Sequence, residues 1–192
     1  MNLPNKLTVL RMIMVPIILV VLVAPLPISE PVVRIAAAVI FALTSLTDML
    51  DGKIARKYNL VTDFGKLMDP LADKFLVIGV MIGILVRFDY LKNVFFWAVA
   101  IVVFRELAVT SIRAIVAQKQ GRALAASWLG KVKTTTQMIC VLSILLETFI
   151  PFAPFTEWHI LSYITIAAMT VMTLWSGADY IKTYWKFIDP SK

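Results

Sequence analysis

Six long apolar stretches divide this chain, at about 7–24, 31–56, 70–87, 93–118, 132–150 and 157–184, with only short connections between them. A helix needs about 20 predominantly apolar residues to cross the hydrocarbon of a bilayer. Six such runs in 192 residues leave no room for a separate soluble domain. The expected fold is therefore an all-α integral membrane protein: one domain over residues 1–192, built as a six-transmembrane-helix bundle. A short amphipathic segment is expected ahead of it at the interface, with Leu3, Leu7 and Leu10 toward lipid and Asn5, Lys6 and Arg11 in water. Pro4, Arg11 and Pro16 interrupt the early run, and no small-residue cleavage site follows. The segment is accordingly read as retained, not as a signal peptide.

Composition excludes the alternatives. Hydrophobic residues make up 60% of the chain and charged residues 16%, where soluble domains carry about a quarter charged residues. Mean hydropathy is +0.85. The net charge of +7 could suggest nucleic acid in a soluble protein. Here the Lys and Arg cluster between apolar spans, which points to membrane orientation instead. The single cysteine, Cys140, cannot form an internal disulfide and sits in an apolar run, as a small packed hydrophobe would.

With the N-terminus in the cytosol, that side collects Lys6, Arg11, Lys53, Arg56, Lys57, Lys66, Lys74, Arg113, Lys119, Arg122, Lys131, Lys133, Lys182, Lys186 and Lys192. The opposite side keeps only Arg34, Arg87 and Lys92. This asymmetry places both termini in the cytosol and the protein in the cell membrane.

Four aspartates then fall on one side of the bilayer. Asp48 and Asp51 close the second span, and Asp69 and Asp73 open the third, at spacings that share a helix face. The second span, at 1.5 Å per residue, is roughly 39 Å long against a hydrocarbon core of about 30 Å, so its last turns emerge into the interfacial layer. Four carboxylates gathered beside lipid are costly unless a cation compensates them. Hard divalent ions take oxygen ligands of this kind, and two pairs could hold one ion or two about 3.5–4 Å apart. Gly52, Gly65 and Ala55 remove side-chain bulk around the carboxylates, and Arg56 offers a planar fork for phosphate. Asp69-Pro70 suits a helix start; equally, Asp63 could cap an earlier start, with Pro70 kinking the helix. One Asp pair alone would be an ordinary solvated face or cap. Two pairs with interposed glycines and an arginine at a membrane edge are not.

The pattern Asp48-x2-Asp51-Gly52-x2-Ala55-Arg56-x8-Gly65-x3-Asp69-x3-Asp73 resembles the signature of the CDP-alcohol phosphotransferase family at every fixed position. Length and span layout extend the resemblance over nearly the whole chain. The opening Asn2-Leu3-Pro4-Asn5-Lys6-Leu7-Thr8-Val9-Leu10-Arg11 is similar to the start of the family's bacterial phosphatidylglycerophosphate synthase branch. The resemblance implies transfer of a phosphatidyl group from CDP-diacylglycerol to the primary hydroxyl of glycerol 3-phosphate, with release of CMP. It implies that Asp48, Asp51 and Asp69 hold Mg²⁺ or Mn²⁺, two ions per site, and the donor diphosphate. Asp73 is implied as the base, also touching metal. Gly52, Ala55, Arg56 and Gly65 would contact the cytidine diphosphate, with Asn5 and Thr8 helping. A homodimer is implied as well.

Because the acceptor carries a phosphate, cations should stand nearby, and Arg113, Lys131 and Lys133 are the candidates at the cytosolic ends of spans four and five. Cations there can also serve orientation alone. Arg105 and Glu106, deeper in span four, read as structural polar contacts to different neighbours. Glu147, Glu157 and His159 read as solvated residues at the far interface, and Tyr180 as part of the aromatic belt. Gly79-x3-Gly83 permits close helix approach, inside the bundle or between copies. Other acceptors within the family, inositol phosphate or phosphatidylglycerol, share the aspartate motif. From a different class, a divalent-cation transporter would also use membrane carboxylates, though usually near the midplane and with inverted repeats.

Overall fold

The computed structural model describes residues 2–57, 62–120 and 127–188, and the side chains of 48–57 stand outside that description. Six long helices carry the described chain: α1 (Leu3–Val23), α2 (Glu30–Lys57), α3 (Asp63–Arg87), α4 (Lys92–Gln120), α5 (Trp128–Leu146) and α7 (Ile160–Ile188). A single turn of helix, α6 (Ala153–Thr156), precedes α7, and 3₁₀ turns at Asp89–Leu91 and Glu147–Phe149 flank α4 and α5. No strand occurs among the described residues. Among the described residues, five helices, α1, α2, α4, α5 and α7, are long and apolar enough to cross a membrane. The first turns of α3 carry Asp69, Asp73 and Lys74, and its apolar run begins only at Phe75.

Helix starts follow local chemistry. The side chain of Asn2 accepts the Asn5 backbone N–H at 3.1 Å, and Pro4 occupies the first turn, where a missing N–H costs nothing. α1 therefore begins at Leu3 and runs straight through Pro16. Thr62 caps α3 by accepting the Gly65 N–H at 3.0 Å, so the helix starts at Asp63 and Pro70 lies within it. Of the two openings left possible by sequence, the early start is adopted, with Thr62 rather than Asp63 as the cap. Ser127 caps α5 in the same manner, through the Gly130 N–H at 3.1 Å.

α1 packs against both α2 and α3, α7 lies along α4 and α5, and α2 meets α5. Phe41, Ile18, Leu22, Met81, Ile84, Phe95, Ile144 and Met169 are among the side chains buried between them. The periphery is equally apolar: Phe104 is 75% exposed, and Trp97, Leu107 and Trp175 also point outward. Such a surface suits acyl chains, not water. A Cβ at Gly79 would lie 2.8 Å from Val15 Cγ1, and one at Gly83 2.7 Å from Leu22 Cδ1. This glycine pair is used inside the bundle, to bring α3 against α1.

Four expectations change. Of the opening residues expected in water, Lys6 is exposed, but Asn5 and Arg11 are buried, with Thr8, on the α1 face turned to α3. The reason is chemical, because that face meets carboxylates. Glu147 is not solvated but fully buried, accepting the N–H groups of Leu161 at 2.8 Å and Ser162 at 3.2 Å, and the Ser162 hydroxyl. It satisfies the otherwise orphaned donors at the start of α7. His159, with φ of 52°, stacks on Tyr90 at 3.9 Å and brings Nδ1 within 3.7 Å of Glu147, so it too is held. Glu157 is exposed, as expected. Tyr180 is buried in the bundle instead of joining an interfacial belt. Cys140 is buried, as its surroundings in sequence implied.

Candidate active site

The α1 face carries Asn5, Thr8 and Arg11 at three-residue intervals, and each meets a polar group at the start of α3. Thr62 Oγ1 donates to Asn5 Oδ1 at 2.9 Å, Thr8 Oγ1 donates to Asp69 Oδ1 at 2.6 Å, and Arg11 Nη1 donates to Asp73 Oδ1 at 2.9 Å. The Arg11 side chain is fully buried, whereas that of Asp73 is about half exposed (52%). A guanidinium withdrawn from water in this way is tolerated only when paired. The pairing is also a bridge, anchoring one Asp73 oxygen while the side chain still reaches open space.

Gly65 is the close-approach residue of this corner. A Cβ there would stand 3.3 Å from Asn5 Oδ1, 3.3 Å from Thr62 Oγ1 and 3.6 Å from Asp69 Oδ2. Side-chain bulk at this point would crowd both the α1 contact and the Asp69 carboxylate. Asp69 and Asp73 are hard oxygen donors one turn apart, with space kept clear above Asp69. That donor chemistry fits a divalent cation. Among the described residues no cluster of three or more acidic, histidine or cysteine ligands forms. Asp48, Asp51, Gly52, Ala55 and Arg56 lie on α2, and their side chains are outside the described residues, as are Lys53, Lys57, Lys66, Arg122, Lys186 and Lys192 of the orientation argument.

Beside this corner the bundle forms a partly open cavity of about 260 Å³ between α3, α4 and α5, reaching Ser45 on α2 and Tyr180 on α7. Its charged lining is Asp73, Lys74, Arg105, Glu106, Arg113 and Lys133. Asp73 thus belongs both to the aspartate corner and to the cavity. Two of the three candidate phosphate ligands, Arg113 and Lys133, face the same space. Lys131 does not line it and is exposed. The helical period explains the split: two residues along α5 lie on opposite sides of the helix, and only Lys133 turns inward.

Arg105 and Glu106 reach separate neighbours, as expected, and also pair with each other. Arg105 Nη1 lies 3.1 Å from Glu106 Oε1, and Lys133 Nζ pairs with the same oxygen. Arg105 Nη2 also reaches Ser176 Oγ at 2.5 Å, tying α4 to α7. One carboxylate therefore links two cations inside the cavity. Sequence reasoning assigned these residues to structure and missed their place on the wall, along with Lys74, Ser45, Gln137 and Tyr180. A signal existed for Gln137, one helical turn beyond Lys133, where the Thr134–Thr136 run gives way to an apolar stretch.

The sequence profile described as CDP-alcohol phosphatidyltransferase matches residues 1–175. The CDP-diacylglycerol–glycerol-3-phosphate 3-phosphatidyltransferase of Bacillus subtilis (strain 168) is 38% identical, over 99% of this chain and 98% of its own. The enzyme of that name from Escherichia coli (strain K12) is 35% identical over 94% of this chain and 93% of its own. A probable phosphatidylglycerophosphate synthase of Mycobacterium tuberculosis (strain H37Rv) is 34% identical over 94% of this chain and 80% of its own. The eight-residue aspartate signature, the helical membrane fold and these matches lead to one conclusion: the chain belongs to the CDP-alcohol phosphatidyltransferase family.

Proposed function

We propose that this protein transfers the phosphatidyl group of CDP-diacylglycerol to the primary hydroxyl of glycerol 3-phosphate, releasing CMP, in phospholipid synthesis. The observation that carries this reading is the shared position of Asp73, which joins the aspartate corner to a partly open cavity lined with cations. The names of the relatives in Bacillus and Escherichia support the same donor and acceptor. The cavity volume lies just under the range of about 300–1,000 Å³ usual for drug-sized ligands, which suits a small acceptor.

In this reading the acceptor phosphate rests on Arg113 and Lys133, with Lys74 and Arg105 adding charge, and its primary hydroxyl is presented to Asp73. The hydroxyl oxygen attacks the phosphorus bearing the diacylglycerol, its proton passes to the Asp73 carboxylate, and the bond to CMP breaks. Holding both substrates on one scaffold lowers the entropic barrier, and hydrogen-bond reach lets the carboxylate act as base. Asp48, Asp51, Asp69 and Asp73 would hold a divalent metal, Mg²⁺ or Mn²⁺ at two ions per site, which supplies neutralisation of the donor diphosphate. Gly52, Ala55, Arg56 and Gly65 would line the cytidine diphosphate, while Asn5 and Thr8 steady the α3 end of that surface. The whole chain would act as one catalytic domain in the cell membrane, with both termini and the site on the cytosolic side, as the lysine and arginine distribution supports. The family resemblance supports a homodimer.

Purified protein in detergent, given CDP-diacylglycerol and a panel of acceptors, tests the reading by product identity. Phosphatidylglycerol phosphate from glycerol 3-phosphate is the expected product. A product formed only with inositol phosphate or phosphatidylglycerol would overturn the acceptor assignment. Absence of divalent-metal-dependent CMP release with every acceptor would remove enzymatic transfer in favour of a transporter. Asp73→Asn is expected to keep nucleotide binding and to lose most turnover, about 10²–10⁴-fold if the carboxylate is the general base. Near-normal CMP release by that variant would remove Asp73 from the base role.

A further inference from the structure

Three buried polar atoms of residues that line the cavity have no hydrogen-bond partner among the described residues: Arg105 Nε, Gln137 Nε2 and Ser45 Oγ. Gln137 is 2% exposed, and its side-chain nitrogen Nε2 has no hydrogen-bond partner among the described residues. The hydroxyl Oγ of Ser45 is buried and equally without a partner. Both residues line the cavity that holds Asp73, Arg113 and Lys133. Buried polar groups are rarely left unpaired, because each costs the free energy of its lost contact with water. The amide of Gln137 and the hydroxyl of Ser45, both uncharged, mark with Arg105 Nε a place built to be filled by something polar.

What fills it follows from the chemistry of the neighbours. Gln137 sits on α5 one turn beyond Lys133, on the same helix face. Ser45 sits on α2 one turn before Asp48. Glycerol 3-phosphate has three polar groups. Its phosphate is taken by the cations and its primary hydroxyl by Asp73, which leaves the secondary hydroxyl. A hydroxyl both accepts and donates. The Gln137 N–H can donate to its oxygen, and Ser45 Oγ can accept its proton. Leu76, Val77, Val102 and Met138, which also line the cavity, are apolar; of the other two hydroxyl residues in the lining, Thr134 already donates to the Gly130 carbonyl at 3.1 Å, and Tyr180 stands on α7.

We propose that Gln137 and Ser45 form a hydroxyl-binding subsite that reads the secondary hydroxyl of the acceptor. The inference rests on the transfer reaction proposed above and adds the group by which the acceptor is chosen. A site built to bond a hydroxyl rejects the analogue that lacks it, because its own polar groups are then stranded.

The test uses the full-length protein in detergent with two acceptors, glycerol 3-phosphate and 3-hydroxypropyl phosphate, which differ only by that hydroxyl. The wild-type protein is expected to prefer glycerol 3-phosphate in kcat/KM by about tenfold to a hundredfold, the cost of leaving buried polar groups unpaired. Gln137→Leu and Ser45→Ala should each shrink the preference, chiefly through the KM of glycerol 3-phosphate, while the KM for CDP-diacylglycerol stays unchanged. A wild-type preference near one overturns the proposal before any variant is made. So does a preference that survives both substitutions, which would mean that water alone satisfies the two groups. Failure of wild-type protein to use glycerol 3-phosphate at all would instead bring down the underlying reaction, and is told apart by the acceptor panel.

Discussion

The Arg11–Asp73 pair shows why the choice of substitution at a reacting residue matters. Arg11 is fully buried and Asp73 is not, so the two partners respond differently to loss of the other. Asp73→Asn leaves a carbonyl oxygen that can still accept from the guanidinium. Asp73→Ala takes a carboxylate away from a buried cation, a change that can cost up to about 3–5 kcal/mol. Thermal unfolding in detergent should therefore show Asp73→Asn close to wild type and Asp73→Ala clearly lowered, with both inactive. Equal melting temperatures for the two would mean that Arg11 does not depend on this carboxylate. That Asp69 and Asp73 share a helix face was legible in the sequence, because such spacing survives without coordinates. The partners were not. Arg11 reads as one more orienting cation until the α1 face is seen to be turned toward α3, sixty residues away in the chain.

At the scale of elements, the helix ends decide most of what sequence could and could not supply. Long apolar runs made the helices visible, and Pro25, Pro27, Pro151 and Pro154 marked where two of them stop. Starts were harder, because Thr62 and Ser127 cap through hydroxyls that look like ordinary loop residues. Glu147 is the clearest case. A glutamate near a predicted interface reads as solvated, yet here it closes the first turn of α7 from a different element. Glu147→Ala removes the acceptor of those buried donors and should destabilise the protein by about 1–3 kcal/mol. Unfolding measured against temperature, with activity assayed well below the transition, checks this. Reduced melting with near-normal kcat at low temperature is expected, since the cap lies at the end of the bundle away from the aspartates.

Over the whole molecule, the sidedness of the membrane is the property most open to direct measurement. Cys140 is the single cysteine and is buried, so introduced cysteines report without a competing thiol. Trp158→Cys, between α6 and α7, should react with a membrane-impermeant maleimide in intact cells, whereas Gln118→Cys, at the other end of α4, should react only after permeabilisation. The reverse pattern would invert the orientation. Glu106, pinned between Arg105 and Lys133, bears on how such a site can turn over. In the proposed reaction an incoming dianion would not fall into a bare well of positive charge; it would displace an internal counter-ion that returns as the product departs. Exchange of partners in place of net capture would keep small stray anions from lodging there, and the newly made lipid phosphate from being held too long to diffuse away.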